Sequence, residues 1–241
     1  MESGVLRQPL ALRELRERVV DANVQLVRAG LVTLTFGNAS AADRGAGVIA
    51  IKPSGVPFER LRPDDIPILD LATGAVVAGA LRPSSDTPTH LVLYRAFGTI
   101  GAVVHTHSPY ATAWAQACRP IPCLGTTHAD HFCDAVPVTR PLAAAEIADS
   151  YEESTGAAIV ETLGGVDPLS LPGVLVCSHG PFTWGATAAE AVENAIALET
   201  VAASSYRALR IASDVEPIDD ALRAKHFGRK HGTDSYYGQP S

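Results

Sequence analysis

Ile100-Gly101-Ala102-Val103-Val104-His105-Thr106-His107-Ser108 is an apolar run that closes on two histidines two positions apart. Read as a β-strand, it sends side chains at i and i+2 out of the same face. Both imidazoles then aim at one spot, about 6 to 7 Å apart along the strand. A second apolar run, Gly173-Val174-Leu175-Val176-Cys177-Ser178-His179-Gly180, ends in a third histidine. Three neutral imidazoles with one side left open are the ligand set of a catalytic divalent site, so His105, His107 and His179 are the candidate ligands. Zinc competes with manganese and cobalt there, because availability decides the occupant as much as ligand type does.

Outward from that strand, Leu12, Leu15, Val19, Ala22 and Leu26 recur at helical spacing, and Gly30 follows as a C-cap. Leu31 to Phe36 reads as a strand that breaks at Gly37-Asn38. Val48 to Ile51 is a short strand, and Ile66 to Leu71 with Ala75 to Val77 flank Thr73-Gly74 as a hairpin. Antiparallel neighbours follow, against a purely parallel βαβ design. Pro88 fits only the first turn of the helix predicted over His90 to Phe97, which puts Ser84, Ser85 and Asp86 at a helix N-terminus. Free amides and the positive dipole end favour an anion there, either the Asp86 carboxylate or a bound phosphate.

Pro109 opens a helix through Ala117, and Gly125 to Asp130 reads as a polar loop. Tyr151 to Leu163 has helical character that Gly156 weakens. Thr187-Ala188-Ala189-Glu190 is a capping-box pattern at the head of the longest helix. The tail from Ile218 to Gln239 starts as helix and ends near Tyr236-Tyr237, which predicts a docked segment. With no repeat, linker or low-complexity stretch, residues 1–241 read as one domain.

Composition excludes several classes. The 241 residues carry a net charge of −7, and basic residues cluster only from Arg223 to Lys230, so no phosphate-tracking nucleic-acid face is expected. No window reaches the ~18 apolar residues of a membrane span. The four cysteines form no CxxC pair, and the N-terminal charges are too close together for a signal peptide, which predicts a reducing cytoplasm.

Asn38, Lys52, Ser54, Gly55, Ser84 and Ser85 are each ordinary turn residues, and only their meeting in the fold makes them a phosphate cradle. Asp86, Asp130, Glu152, His226 and Tyr237 are proton-transfer candidates to which pattern alone assigns no role.

Seven motifs nevertheless occur together and in order: Thr33 to Ser40, Ile51 to Val56, Pro83 to His90, Val104 to Ser108, Gly125 to Asp130, Ser178 to Phe182, and Lys225 through Gly232 to Gln239. With them the chain closely resembles the L-ribulose-5-phosphate 4-epimerases of the class II aldolase superfamily, from about residue 11 to Gln239. The resemblance implies an α/β fold, a three-layer α/β/α sandwich with a mainly antiparallel central sheet, assembled as a homotetramer. It implies a zinc-type ion on His105, His107 and His179 with Asp86 beside them. A phosphorylated ketopentose would be held by Asn38, Lys52, Ser54, Gly55, Ser84 and Ser85, with Thr126 nearby.

Asp130 would be one acid/base group and Tyr237 the other, the latter from a neighbouring subunit, with His226 and Glu152 in support across the same interface. The implied reaction breaks and re-forms the bond between carbons 3 and 4 of the sugar. Related aldolases commonly carry glutamate where this chain has Asp86, and the shorter side chain suits a metal ligand. A non-catalytic scaffold of the same fold, like the adducin head domain, lacks the histidines retained here. The chain departs from the family pattern at Phe36, where tryptophan is commoner, at His131, Cys133 and Ser154, and at Cys177, where histidine is frequent.

Overall fold

In the computed structural model, which describes residues 3–232, 235 and 236, the period of Leu15, Val19, Ala22 and Leu26 becomes helix α1, Ser3–Arg28. Gly30 closes it with φ of 69°, and the Leu31 N–H reaches back to the Leu26 carbonyl. Strands β1 (Asn38–Asp43), β2 (Val48–Ile51), β3 (Ile68–Asp70) and β4 (Val76–Ala78) come next, then helix α2 (Thr87–Ala96) and strand β5 (Ala102–His105). Helices α3 (Pro109–Gln116), α4 (Thr126–Ala129) and α5 (Ala144–Leu163) lead to β6 (Gly173–Leu175) and β7 (Pro181–Gly185), and the chain ends in α6 (Ala188–Ile211) and α7 (Asp220–His231).

The seven strands form one sheet in the order β4-β3-β2-β1-β5-β7-β6, every neighbouring pair antiparallel. Alternation along β5 assigns its two faces. Ala102 and Val104 pack with Leu15, Leu26, Ala191 and Ala195 of α1 and α6, while Val103 packs with Leu93, Tyr94 and Ile159 of α2 and α5. Helices therefore cover both faces of an antiparallel sheet, the three-layer arrangement the resemblance implies. Among the described residues no helix is long and apolar enough to cross a membrane.

Several local expectations need correction. Thr33 to Phe36 is a turn rather than a strand: Leu34 has φ of 55°, the Phe36 N–H bonds to the Thr33 carbonyl, and pairing begins only at Asn38. Gly37, just before that strand, has φ of 91° and lies so close to β5 that a β-carbon there would stand 2.6 Å from the His105 carbonyl oxygen. The polar stretch from Thr126 is a single helical turn. Strand β7 was not anticipated at all.

Gly156, a weak point for helix propensity, is where α5 meets α2; a β-carbon would fall 2.7 Å from Val92 Cβ. At the other end of α2, the Arg44 guanidinium donates to the carbonyls of Tyr94, Phe97 and Ile100 at 2.7 to 3.1 Å. These carbonyls have no helical partner, so Arg44 satisfies the C-terminal end.

Candidate active site

Strand β5 delivers His105, whose ring is buried and stacks on Phe182 with centroids 4.2 Å apart. Its Nδ1 lies 3.0 Å from the Pro181 carbonyl, which can only accept, so Nδ1 carries the proton and Nε2 keeps its lone pair. The chain leaves the strand after His105, and His107 folds back so that the two Nε2 atoms stand 3.1 Å apart. His179 arrives from the turn between β6 and β7, where Ser178 adopts φ of 63° and the His179 N–H bonds to the Val176 carbonyl. One ligand atom from each of the three imidazoles lies within 4.8 Å of the others. Two nitrogens bound tetrahedrally at ~2.0 to 2.1 Å would be about 3.3 Å apart, so the His105–His107 spacing fits a shared ion.

All three rings are held neutral. Burial pushes the His105 pKa well below its usual value, with His179 and His107 adding to the effect. Burial also lowers His107, against the pull of Asp86, and lowers His179, where His107 adds and Asp86 opposes. Neutral imidazoles are the form that binds a divalent cation, and an all-nitrogen face disfavours magnesium and calcium.

The same cavity, of about 400 Å³, is also lined by Asn38, Lys52, Ser54, Gly55, Ser84, Ser85, Asp86 and Glu152. Loops about thirty residues apart meet through the Pro53–Pro83 bridge, the Ser84 N–H bonding to the Lys52 carbonyl and the Ser54 N–H to the Arg82 carbonyl. Five turn residues, Lys52, Ser54, Gly55, Ser84 and Ser85, are thereby gathered on one wall, and Asn38 joins them from β1. Asn38, opposite His105 in the sheet, donates its Nδ2 to Asp86 Oδ2 at 2.6 Å and to Ser84 Oγ at 3.1 Å. Its Oδ1 is buried without a partner among the described residues. The buried Lys52 ammonium lies 4.6 Å from the centre of the Phe58 ring and donates to the Pro53 carbonyl at 3.4 Å. Burial lowers its pKa.

The remaining candidates assemble elsewhere in the chain. Asp130, beside α4, accepts from Arg229 Nε and a terminal guanidinium nitrogen at 2.9 and 2.6 Å, and from His226 Nδ1 at 3.1 Å. Burial raises its pKa, but the hydrogen bonds from Arg229 and His226 outweigh that, so the net shift is downward. Asp130 lines a second cavity with His131, Lys230 and His231, and Thr126, one turn earlier, is likewise outside the histidine cavity. Tyr237 lies outside the described residues.

Two features escaped sequence reasoning. Tyr151 lines the histidine cavity, its hydroxyl 3.2 Å from His179 Nδ1; its adjacency to Glu152 was the only available signal. Cys118 and Cys177 form a disulfide across 59 residues, a pairing that spacing cannot reveal.

Comparison with known proteins gives a consistent result. Residues 17–206 match the family described as Class II Aldolase and Adducin N-terminal domain. The L-ribulose-5-phosphate 4-epimerase UlaF of Salmonella paratyphi C (strain RKS4594) is 53% identical over 228 residues, covering 95% of this chain and 100% of that protein. The protein of the same name from Salmonella typhi matches to the same extent. Among solved structures, an L-fuculose 1-phosphate aldolase is similar with a TM-score of 0.77 at 24% identity, covering 90% of this chain and 95% of its own. The L-fuculose-1-phosphate aldolase from Thermus thermophilus gives 0.64 at 25% identity, covering 84% and 98%.

Proposed function

This chain belongs to the class II aldolase and adducin N-terminal domain family, and from that premise we propose that it interconverts L-ribulose 5-phosphate and D-xylulose 5-phosphate as a 4-epimerase. The observation that carries the reading is the meeting, in one cavity, of three neutral imidazoles with Asp86 and the Asn38, Lys52 and Ser84 cradle. Identity of 53% to a named epimerase along its whole length supports the same reading.

The hydrogen on carbon 4 is not acidic, so inversion there proceeds by breaking and re-forming the bond between carbons 3 and 4. His105, His107 and His179 would hold a divalent cation, which we take to be zinc, and when bound it would supply Lewis acidity for charge developing on the ketose oxygens, worth several kcal/mol. Asp86, fixed by Asn38, stands beside that face as a further ligand or near-ligand. Lys52, Asn38, Ser54, Ser84, Ser85 and the Gly55 backbone hold the phosphate. This tether keeps the aldehyde fragment in place while it presents its other face.

The carbon 4 oxygen must lose a proton as the bond breaks and regain one, from the opposite side, as it re-forms. Asp130 and Tyr237 take those two roles in this reading. Because Asp130 and His226 sit apart from the histidine cavity of their own protomer, the reading includes a homotetramer. In it the segment 218–239 docks at a subunit interface, one protomer completes its neighbour's site, and Glu152 and Thr126 support the junction. Each chain contributes one domain. We assign the enzyme to the cytoplasm, where phosphorylated sugars are made and retained, although the Cys118–Cys177 disulfide runs against the reducing compartment expected from cysteine usage.

The test is incubation of metal-replete protein with L-ribulose 5-phosphate while D-xylulose 5-phosphate is followed. Formation of the epimer is expected. Release of free aldehyde and ketone without epimer would overturn the proposal in favour of an aldolase.

A further inference from the structure

We infer that Tyr151 is a positioning residue that sets the tautomer and orientation of His179, and so tunes the affinity of the three-histidine site for its ion. The inference rests on the metal-binding part of the reading above and assigns a role to a residue outside the ligand set.

The geometry begins in α5. Ser150 has φ of −158° and ψ of 62°, which interrupts the helix one residue before Tyr151. The break lets the following turn be held from outside: the Thr89 hydroxyl, on α2, donates to the Glu152 carbonyl at 2.5 Å. Within α5 the Thr155 hydroxyl donates to the Tyr151 carbonyl at 2.8 Å, and Gly156 seats the helix against Val92. The Tyr151 backbone is thus fixed between two hydroxyl donors, where α5 packs against α2. Its side chain reaches the cavity wall and meets His179 Nδ1 at 3.2 Å, the two rings 6.1 Å apart and tilted by 34°.

The direction of that hydrogen bond follows from what a ligand needs. With Nδ1 occupied by the phenol, His179 has Nε2 left for an ion. Nε2 has a lone pair only if the ring proton is on Nδ1, and then Nδ1–H donates and the Tyr151 oxygen accepts. His105 is treated in the same way by the Pro181 carbonyl, with Nδ1 fixed as donor at 3.0 Å. Two of the three rings therefore have their outer nitrogen tied to an oxygen, one from β7 and one from α5. An outer partner of this kind typically accounts for about 10- to 100-fold in metal affinity.

Tyr151→Phe removes the acceptor and keeps the ring. Zn2+ affinity of the folded variant, measured by competition with a chromogenic chelator, is expected to fall about 10- to 100-fold. The imidazole 15N shifts of His179 in the metal-free variant should move from the Nδ1-protonated pattern toward a tautomer mixture. Thr162→Val removes an equivalent bond within α5, from the Thr162 hydroxyl to the Ala158 carbonyl, about three turns beyond Tyr151, and should leave both readouts unchanged. If wild-type protein holds Zn2+ stoichiometrically and Tyr151→Phe holds it as tightly, with unchanged 15N shifts, the Tyr151 inference is overturned and the three-histidine site stands. If wild-type protein takes up no Zn2+, the metal reading itself fails. Equal losses in Tyr151→Phe and Thr162→Val would show a general packing effect and also overturn the inference.

Discussion

Asn38 and Asp86 lie 48 residues apart in sequence, yet the amide Nδ2 of the first donates to the carboxylate of the second at 2.6 Å. The bond links the strand beside His105 to the start of α2, and so ties the three-histidine face to the loops that carry Lys52 and Ser84. A hydrogen bond to a charged group contributes about 1.5 to 3 kcal/mol. Asn38→Ala should therefore lower kcat/KM by roughly 10- to 150-fold with the fold intact. Steady-state kinetics beside a circular dichroism melt would check this, and wild-type kinetics would count against the link.

Lys52 is buried, and the carbonyl of Pro53 is the hydrogen-bond partner of its ammonium among the described residues. A buried cation without a carboxylate is costly to the fold and useful only when an anion arrives. Lys52→Met should hold or raise the melting temperature while raising KM for the phosphorylated ketose by about 100-fold, as lost charge-assisted contacts imply. A fall in stability with unchanged KM would assign Lys52 to the core instead.

Acid should weaken the fold before any carboxylate titrates. His90 is fully buried, with Nδ1 2.7 Å from Ser40 Oγ, and burial pulls its pKa to about 3, Asp86 opposing and His105 adding. His105 is shifted in the same direction. Between about pH 6.5 and 3 the unfolded chain binds a proton at His90 that the native chain refuses. The associated stability is complete above about 6.5 and declines as pH falls, by about 1.4 kcal/mol per pH unit for each such group. Urea midpoints of the metal-free protein at about pH 7, 6 and 5 measure the slope, and a flat series would contradict it.

The Cys118–Cys177 disulfide closes a loop of 59 residues, and Cys177 stands two positions before His179. Loop closure of that length stabilises by about 4 kcal/mol in the chain-entropy model. Reduction, or Cys118→Ser with Cys177→Ser, should lower the melting temperature by about 10 °C. Scanning calorimetry with and without a dithiol reductant reads the shift.

If one site draws Asp130 and Tyr237 from different chains, inactive Asp130→Asn and Tyr237→Phe proteins should regain part of the wild-type activity when mixed and allowed to exchange subunits. Exchange is confirmed by mass spectrometry of differently labelled chains. No recovery despite exchange would place both groups on the same chain.

What the sequence made legible was local. Val48–Ile51 emerged with the expected boundaries, the Thr187 side chain accepts from the Glu190 N–H as the capping pattern requires, and Gly74 turns the hairpin with φ of 79°. Strand β7 was hidden because Pro181 to Gly185 is buried throughout, so no alternation marks it, and proline and glycine punctuate its ends. Thr33 to Phe36 misled because β-branched composition outweighed the left-handed backbone at Leu34, which composition does not encode. At the site, His105 and His107 were readable from spacing. The cradle was readable only as separate turns, since the Pro53–Pro83 bridge that joins them is a tertiary event. Asp130 was named as a polar candidate, but its salt bridge to Arg229 and its place outside the histidine cavity depend on how α7 docks.

Arg44 gives helix α2 an asymmetric electrical character. Its guanidinium takes up carbonyls at the negative pole of the helix, while the positive pole, at Ser84 to Asp86, borders the histidine cavity. The pole, worth roughly half a positive charge, favours the Asp86 carboxylate that stands there, while the Arg44 cation matches the opposite pole. The carboxylate beside the three imidazoles is thereby steadied without a second desolvated cation. Arg44, which lines no part of that cavity, helps keep the dipole pointed one way.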